Sequence, residues 1–178
     1  MTHKILIVDD EPANLRALER IFRNGHSVLT AQSGPEALAL LEQHDVALLI
    51  SDQRMPGMTG IELVQKTVQL RPHMVRILLT GYTDGGTLIE AINCGHVYKY
   101  VTKPWNNDDL SLTVSRALEY FEATKTRHNL AMMNERLRAR LSEISKLATP
   151  DDEPVAAWDT ALGDAVEADR QLNLIASD

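Results

Sequence analysis

The sequence predicts an α/β protein: a doubly wound sheet of five parallel strands, with an extended coiled-coil-type helix at its C-terminal end. Three observations carry this expectation. Short β-type runs alternate with amphipathic helical runs over the first 120 residues. The strand candidates at residues 5–8 and 46–50 are almost wholly apolar, which suits parallel strands covered on both faces. Helical sequence then continues past Tyr120 to Leu147, with no Pro or Gly before Pro150, longer than an ordinary globular helix.

The elements follow in order. "KILIVDD" (residues 4–10) is a buried strand ending in acids. Pro12 opens an amphipathic helix carrying Leu15, Leu18, Ile21 and Phe22, and Gly25 closes it, with proline inside the start and glycine past the end. "SVLTA" (27–31) is the second strand, and Ser33 caps a helix through Leu41. "VALLIS" (46–51) is the third strand. Thr59 and Glu62 have the spacing of a capping box and start a helix with Leu63, Val64 and Val68 on its apolar side. "MVRILLT" (74–80), a helix near residues 87–93, a short strand "VYKYV" (97–101) and a helix from Asn106 complete five strands and five helices.

Composition narrows the class. The 178 residues, 44 % of them hydrophobic, suit one globular domain of roughly 100–150 residues with chain left over. No apolar run approaches the roughly 20 residues of a membrane span, and the N-terminus lacks a signal-peptide pattern. The single cysteine, Cys94, allows no intramolecular disulfide and fits a reducing compartment. A soluble cytoplasmic protein is expected. The net charge of −7 lies wholly in the tail: from Asp151 onward eight acids face one base, Arg170, whereas residues 1–150 hold 17 acids and 17 bases. The chain lacks the basic footprint of a nucleic-acid binder, so no direct nucleic-acid or membrane partner is expected.

Doubly wound sheets place their sites outside the carboxyl ends of the strands, where strand order reverses. The residues there are Asp9 and Asp10 after strand one, Asp52 after strand three, Thr80 after strand four and Lys103 after strand five. An acid at one strand end is ordinarily a helix cap. Five suitable groups at the same edge are not explained that way. Three neighbouring carboxylates repel one another, so such a site either raises a pKa or binds a cation. Oxygen donors without His or Cys favour Mg²⁺ over Zn²⁺. A carboxylate can attack phosphorus to give an acyl phosphate, helped by Mg²⁺, Lys103 and the Thr80 hydroxyl. The pattern suits phosphoryl transfer onto aspartate.

The ordered set "ILIVDDEP", "LLISDQRMPGMTG", "ILLTGYTD" and "YKYVTKPW" resembles the receiver domain of two-component response regulators, over about residues 4–119. The resemblance implies a flavodoxin-like strand order 2-1-3-4-5. It implies Asp52 as phospho-acceptor, with Asp9, Asp10, Asp52 and the Arg54 backbone carbonyl around Mg²⁺. Thr80 and Lys103 would bind phosphoryl oxygens, Tyr100 would be the aromatic switch, and Lys103-Pro104 would be cis. The implied donor is a sensor histidine kinase or phosphotransfer protein, and the only implied catalysis is the domain's own phosphorylation and dephosphorylation. The finer wording is similar to receivers that precede HD-GYP cyclic-di-GMP phosphodiesterase domains or hydrogenase-type transcriptional regulators. That output is not in this sequence; His44-Asp45 and Gly81-Tyr82 are chance dipeptides. Arg54 and Tyr82, each two residues past a site residue, are expected to flank the path of attacking water and prolong the phosphorylated state.

Residues 1–120 are thus read as the receiver domain, 121–149 as a helical extension and probable coiled coil, and 150–178 as an acidic tail, flexible or a short amphipathic helix with Trp158, Leu162, Ala165, Val166, Leu172 and Ile175. Leu130, Met133, Leu137, Ile144 and Leu147 follow three-four spacing, interrupted at Arg140. Leu110, Val114, Ala117 and Phe121 keep another register, so a stutter is expected at residues 123–128. A parallel homodimer would cover the stripe, although packing against this domain or an absent one would also do so. His128 lacks the flanking pattern of a phospho-accepting histidine and is read as solvated. His3, His26, His73 and His96 show no metal-ligand spacing. Two alternatives remain. The chain is the N-terminal regulatory part of a longer regulator with a phosphodiesterase or transcriptional output, or it is an Asp-nucleophile Mg²⁺ phosphatase of the haloacid-dehalogenase type. The second places its nucleophile in Asp-x-Asp at strand one, whereas Asp9 and Asp10 are adjacent here.

Overall fold

Strands apolar on both faces need a helical layer on each side, and the fold supplies both. The computed structural model describes residues 2–81 and 96–147. Strands β1 (Lys4–Val8), β2 (Ser27–Ala31), β3 (Leu48–Asp52), β4 (Val75–Thr80) and β5 (Lys99–Thr102) form one sheet in the order β2-β1-β3-β4-β5, every pair parallel. The described helices are α1 (Pro12–Phe22), α2 (Gly34–Gln43), α3 (Gly60–Leu70) and α4 (Asn107–Leu147). The helix expected near residues 87–93, Cys94, Tyr82 and the acidic tail lie outside the described residues.

The two-residue period of each strand divides the core. Ile5, Ile7, Leu48, Ile50, Ile77 and Leu79 face α1 and α4, meeting Leu15, Leu18, Phe22, Leu110, Val114, Ala117 and Phe121. Leu6, Val8, Leu49 and Leu78 face the opposite way, against Ala37 and Leu41 of α2 and Leu63 and Val64 of α3. Each such side chain fully withdrawn from water contributes roughly 1.5–3 kcal/mol before entropy is counted. At the amino edge of the sheet, His3 Nε2 meets Glu122 Oε1 at 2.8 Å and Lys125 pairs with Asp45 at 3.6 Å, tying α4 to the strand starts.

Helix ends are closed by side chains. Ser33 Oγ accepts from Glu36 N at 3.4 Å. Thr59 and Glu62 form the full capping box, with Glu62 N donating to Thr59 Oγ1 at 3.3 Å and Thr59 N to Glu62 Oε2 at 2.8 Å. Asn106 Oδ1 accepts from Asp108 N and Asp109 N at the start of α4. Gly25 donates to Phe22 O, but the positive φ lies at Gly57 rather than at Gly25, so α1 ends without a left-handed glycine. At the C-terminal ends, Arg71 Nη2 donates to the carbonyls of Leu41, in the last turn of α2, and of His44, just beyond it.

Several details differ from expectation, and β5 for one runs Lys99–Thr102 instead of 97–101. Strand β3 begins at Leu48 and includes Asp52, whose pairing with Leu79 extends the ladder one residue past Ser51. On α3 the buried position is Thr67 rather than Val68, which is half-buried. The cause is Arg76 of β4, buried against α3. Its Nε donates to Thr67 Oγ1 at 2.8 Å, Nη1 to Met74 O at 2.7 Å, and Nη2 to the carbonyls of Thr67 and Arg71 at 2.9 and 2.7 Å. Burial lowers its pKa to about 10, which leaves it charged at neutral pH and well placed for the negative end of α3.

Replacing Arg76 by Met keeps the volume but strips four acceptors of their donor. A loss of about 1–3 kcal/mol is expected in urea unfolding. The double variant with Thr67→Val should lose less than the sum of the single losses, since the two side chains share a bond.

Candidate functional site

Register brings the acids together. Val8 of β1 lies opposite Ser51 of β3, so the next residues, Asp9 and Asp52, stand side by side at the carboxyl edge of the sheet. Asp52 is also opposite Leu79, and Thr102 opposite Thr80, so Lys103 follows on the same edge. Lys103 N donates to Thr80 O at 2.7 Å, and the Lys103-Pro104 bond is cis.

One carboxylate oxygen each from Asp9, Asp10 and Asp52 lies within 4.8 Å of the others. Asp9 is 1 % exposed and Asp52 6 %, while Asp10 is exposed. Lys103 Nζ bridges the two buried acids, 2.6 Å from Asp52 Oδ1 and 3.0 Å from Asp9 Oδ2. Asp52 Oδ2 accepts from the Arg54 backbone N–H at 3.0 Å. Asp9 is held from α1 as well: Oδ1 accepts from Glu11 N at 2.9 Å, and the Asn14 amide donates to Oδ1 and Oδ2 at 3.2 and 3.1 Å. Thr80 is buried at the end of β4. Tyr100 is half-buried and packs with the α2–α3 core, while Trp105 packs on the α1–α4 core.

Burial pushes the Asp52 carboxyl above the ordinary carboxylate range, with Asp9 adding to the rise and Lys103 and the Arg54 amide opposing it. For Lys103, burial works against the ammonium, but Asp52 and Asp9 together outweigh it and raise its pKa. Three carboxylates against one ammonium leave a net negative, oxygen-rich edge. That donor set fits a hard divalent cation: Asp9, Asp10 and Asp52 could hold Mg²⁺.

Three residues at this edge are absent from the expected set. Asn14 fixes Asp9, Gln53 fastens the loop after Asp52, and Gly60 is required where α3 abuts the Asp52 carbonyl, which a Cβ there would strike. Asn14 falls five residues past Asp9 on the first turns of α1, a spacing that points back at the acid.

A parallel doubly wound sheet with acids and a lysine at its switch-point edge is the architecture that the resemblance to receiver domains implied. The family model for the response regulator receiver domain matches residues 5–115, and the chain belongs to that family. It is 42 % identical over 115 residues to the hydrogenase transcriptional regulatory protein HoxA of Cupriavidus necator, covering 65 % of this chain and 24 % of that protein. Among solved structures it resembles an adenylate cyclase from Rhodopirellula baltica (TM-score 0.72, 33 % identity, 74 % of this chain and 98 % of that one). It also resembles the signal receiver domain of an HD domain-containing protein from Pseudomonas fluorescens Pf-5 (TM-score 0.67, 34 % identity, 71 % and 93 %). The chain thus spans about a quarter of the length of the curated hydrogenase regulator. Receiver domains pair with histidine kinases or phosphotransfer proteins.

The sign of the Asp52 shift sets a pH dependence. Its folded pKa exceeds the unfolded value near 3.8, so the stabilising contribution is present below that value and lost as pH rises through the raised one. Lys103 loses its contribution only above the ordinary lysine value of 10.5, so the two windows are separate. In metal-free protein, thermal melts from roughly pH 4 to pH 7 should show the wild type losing stability relative to Asp52→Asn. Parallel profiles would mean that burying the carboxylate costs nothing.

Proposed function

We propose that this receiver accepts a phosphoryl group on Asp52 from the phosphohistidine of a sensor kinase or phosphotransfer protein, and signals through dimerisation and protein contacts in the cytoplasm. The observation that supports it best is the Asp52 carboxylate, presented at the end of β3 with Lys103 at 2.6 Å beside Asp9 and Asp10. In this reading an Asp52 oxygen attacks phosphorus. The P–N bond breaks with its electron pair going to the imidazole, and an acyl phosphate forms on Asp52. Lys103 would move from Asp52 to a phosphoryl oxygen, and the Thr80 hydroxyl would donate to another. The Arg54 N–H keeps the second Asp52 oxygen oriented during attack. Mg²⁺, held by Asp9, Asp10, Asp52 and the Arg54 carbonyl, would supply charge neutralisation. Tyr100, next to the α2–α3 core, would report the change as the aromatic switch. Water attack on the acyl phosphate would later return the carboxylate, which is the only turnover this reading assigns to the chain.

Dimerisation is supported by the surface of α4. Leu130, Met133, Leu137, Leu141 and Ile144 stand exposed along it, at 38–63 %. The compact unit ending at Arg127 is distinct from the one starting at His128. A second copy would cover that stripe in a parallel coiled coil. A regulator with a transcriptional or phosphodiesterase output is the second reading; the small share of the hydrogenase transcriptional regulator that this chain spans supports the transcriptional form. Among the described residues no helix is long and apolar enough to cross a membrane.

Acetyl phosphate with Mg²⁺ should add the mass of one phosphoryl group to the intact protein, and Asp52→Asn should abolish the gain. Turnover of unrelated phosphate esters without stable labelling would instead support the phosphatase alternative. In sedimentation, the paired substitutions Leu130→Asp and Leu137→Asp should turn a dimer into a monomer while Asp52 remains labelled. A monomeric wild type with and without beryllofluoride would end the dimer reading.

A further inference from the structure

We propose that Gln53 is a positioning residue for this site: its buried amide moors the start of α3 to β3 and so sets the backbone that presents Asp52 and the Arg54 carbonyl. The inference rests on reading Asp52 and Arg54 as above. Gln53 stands between those two residues and is 6 % exposed. A side-chain amide withdrawn from water is costly unless it is bonded. Its Oε1 accepts from Ile61 N, the second residue of α3, at 3.2 Å. Its backbone N donates to Leu79 O at 2.9 Å and its carbonyl accepts from Gly60 N at 3.0 Å. One residue therefore joins β4, β3 and the first two residues of α3.

The consequence is geometric. Residues 53 and 60–61 are bonded to each other, so the "QRMPGMTG" segment closes on itself with Gln53 at its base. Arg54, the first residue inside that closed segment, donates its N–H to Asp52 Oδ2 at 3.0 Å. Gly60 is seated so close to the Asp52 carbonyl that a Cβ would strike it, and Leu78 as well. A shift of α3 is therefore a shift of the Asp52 main chain. The Thr59–Glu62 box also closes this helix start, but it is made within residues 59–62 and does not reach β3. Capping and mooring are thus separable: Thr59 serves the helix, and Gln53 fixes the helix to the acceptor strand.

That separation gives the test, run on the whole chain in a Trp158→Phe background so that Trp105 reports on the site. Gln53→Met keeps the volume and removes the acceptor. In metal-free protein the Ile61 amide should exchange about tenfold faster by NMR, the scale of one lost buried hydrogen bond. The Mg²⁺ dissociation constant read from Trp105 fluorescence should rise about three- to tenfold, and labelling by acetyl phosphate should slow to match. Thr59→Ala should destabilise the protein yet leave the Mg²⁺ constant within about twofold, since its bond ends inside the helix. Gln53→Glu retains an acceptor that the positive end of α3 favours, and should keep Ile61 protected and Mg²⁺ binding no weaker than wild type.

An unchanged Mg²⁺ constant in Gln53→Met, with or without faster Ile61 exchange, overturns the proposal, because the amide would then only cap. If Gln53→Met does not fold, Gln53→Glu decides: Ile61 protection lost, or Mg²⁺ binding weakened, overturns it as well. A wild type that never labels on Asp52 defeats the acceptor reading instead, which the Mg²⁺ and exchange measurements separate from this one.

Discussion

The arrangement depends on a charge conflict. Asp9, Asp10 and Asp52 are gathered within 4.8 Å, two of them almost wholly out of water, and Lys103 stands between the buried pair. Two carboxylates this close repel by several kcal/mol at an effective dielectric of about 20, so the cluster persists only because the scaffold over-determines it. The scaffold is the β1–β3 pairing at the centre of the sheet, locked by apolar residues on both faces. A slip of one residue would turn Asp52 to the opposite face and bury a charge among leucines, which the core forbids. The conflict is therefore stored by packing, and its partial relief by Lys103 leaves a net negative edge that favours cations.

Lys103 makes that relief reversible. The lysine follows the fifth strand on the same edge, and its backbone N–H is fixed to Thr80 O, so the ammonium is delivered to Asp52 by the sheet and not by a flexible loop. Its two ion pairs are also the bonds that would have to loosen if another cation or a phosphoryl group entered. A pair this close in a mostly buried setting is expensive to leave half-made. In the proposed reaction an exchange of partners at Lys103 would be felt at the edge of β5, where Tyr100 lies two residues before Thr102.

Much of this was legible from residue order. Asp9, Asp52 and Thr80 were readable because each ends an apolar run, and Lys103 because it follows the fifth strand, since parallel strands in α/β sheets release their ends on one edge. The capping box at Thr59 was readable because its bonds are local. The less legible features depend on tertiary partners. Thr67 displaces Val68 from the buried face because Arg76, nine residues on, needs its hydroxyl and carbonyl. Gln53 reads as a polar turn residue until α3 is seen folding back over it. The expected end of β3 fell one residue short because an acid lowers strand propensity, while the ladder with Leu79 holds Asp52 in place regardless.

The long helix applies the same physics with a different outcome. Leu110, Val114, Ala117 and Phe121 are buried by the sheet, so the first turns of α4 owe their order to tertiary packing. Over residues 128–145 the apolar side chains are exposed, and the intrinsic stability of an uncovered helix of this length is marginal in water. Propensity does not fill the gap: Asn129, Asn134 and Ser142 are mediocre helix formers among the Leu, Met and Arg. The exposed stripe is therefore the part of the chain whose order depends most on a covering surface. In the proposed dimer a second copy of the helix would supply one at matched spacing, and the long stem of Arg140 could pack along apolar neighbours while its charge stays in water.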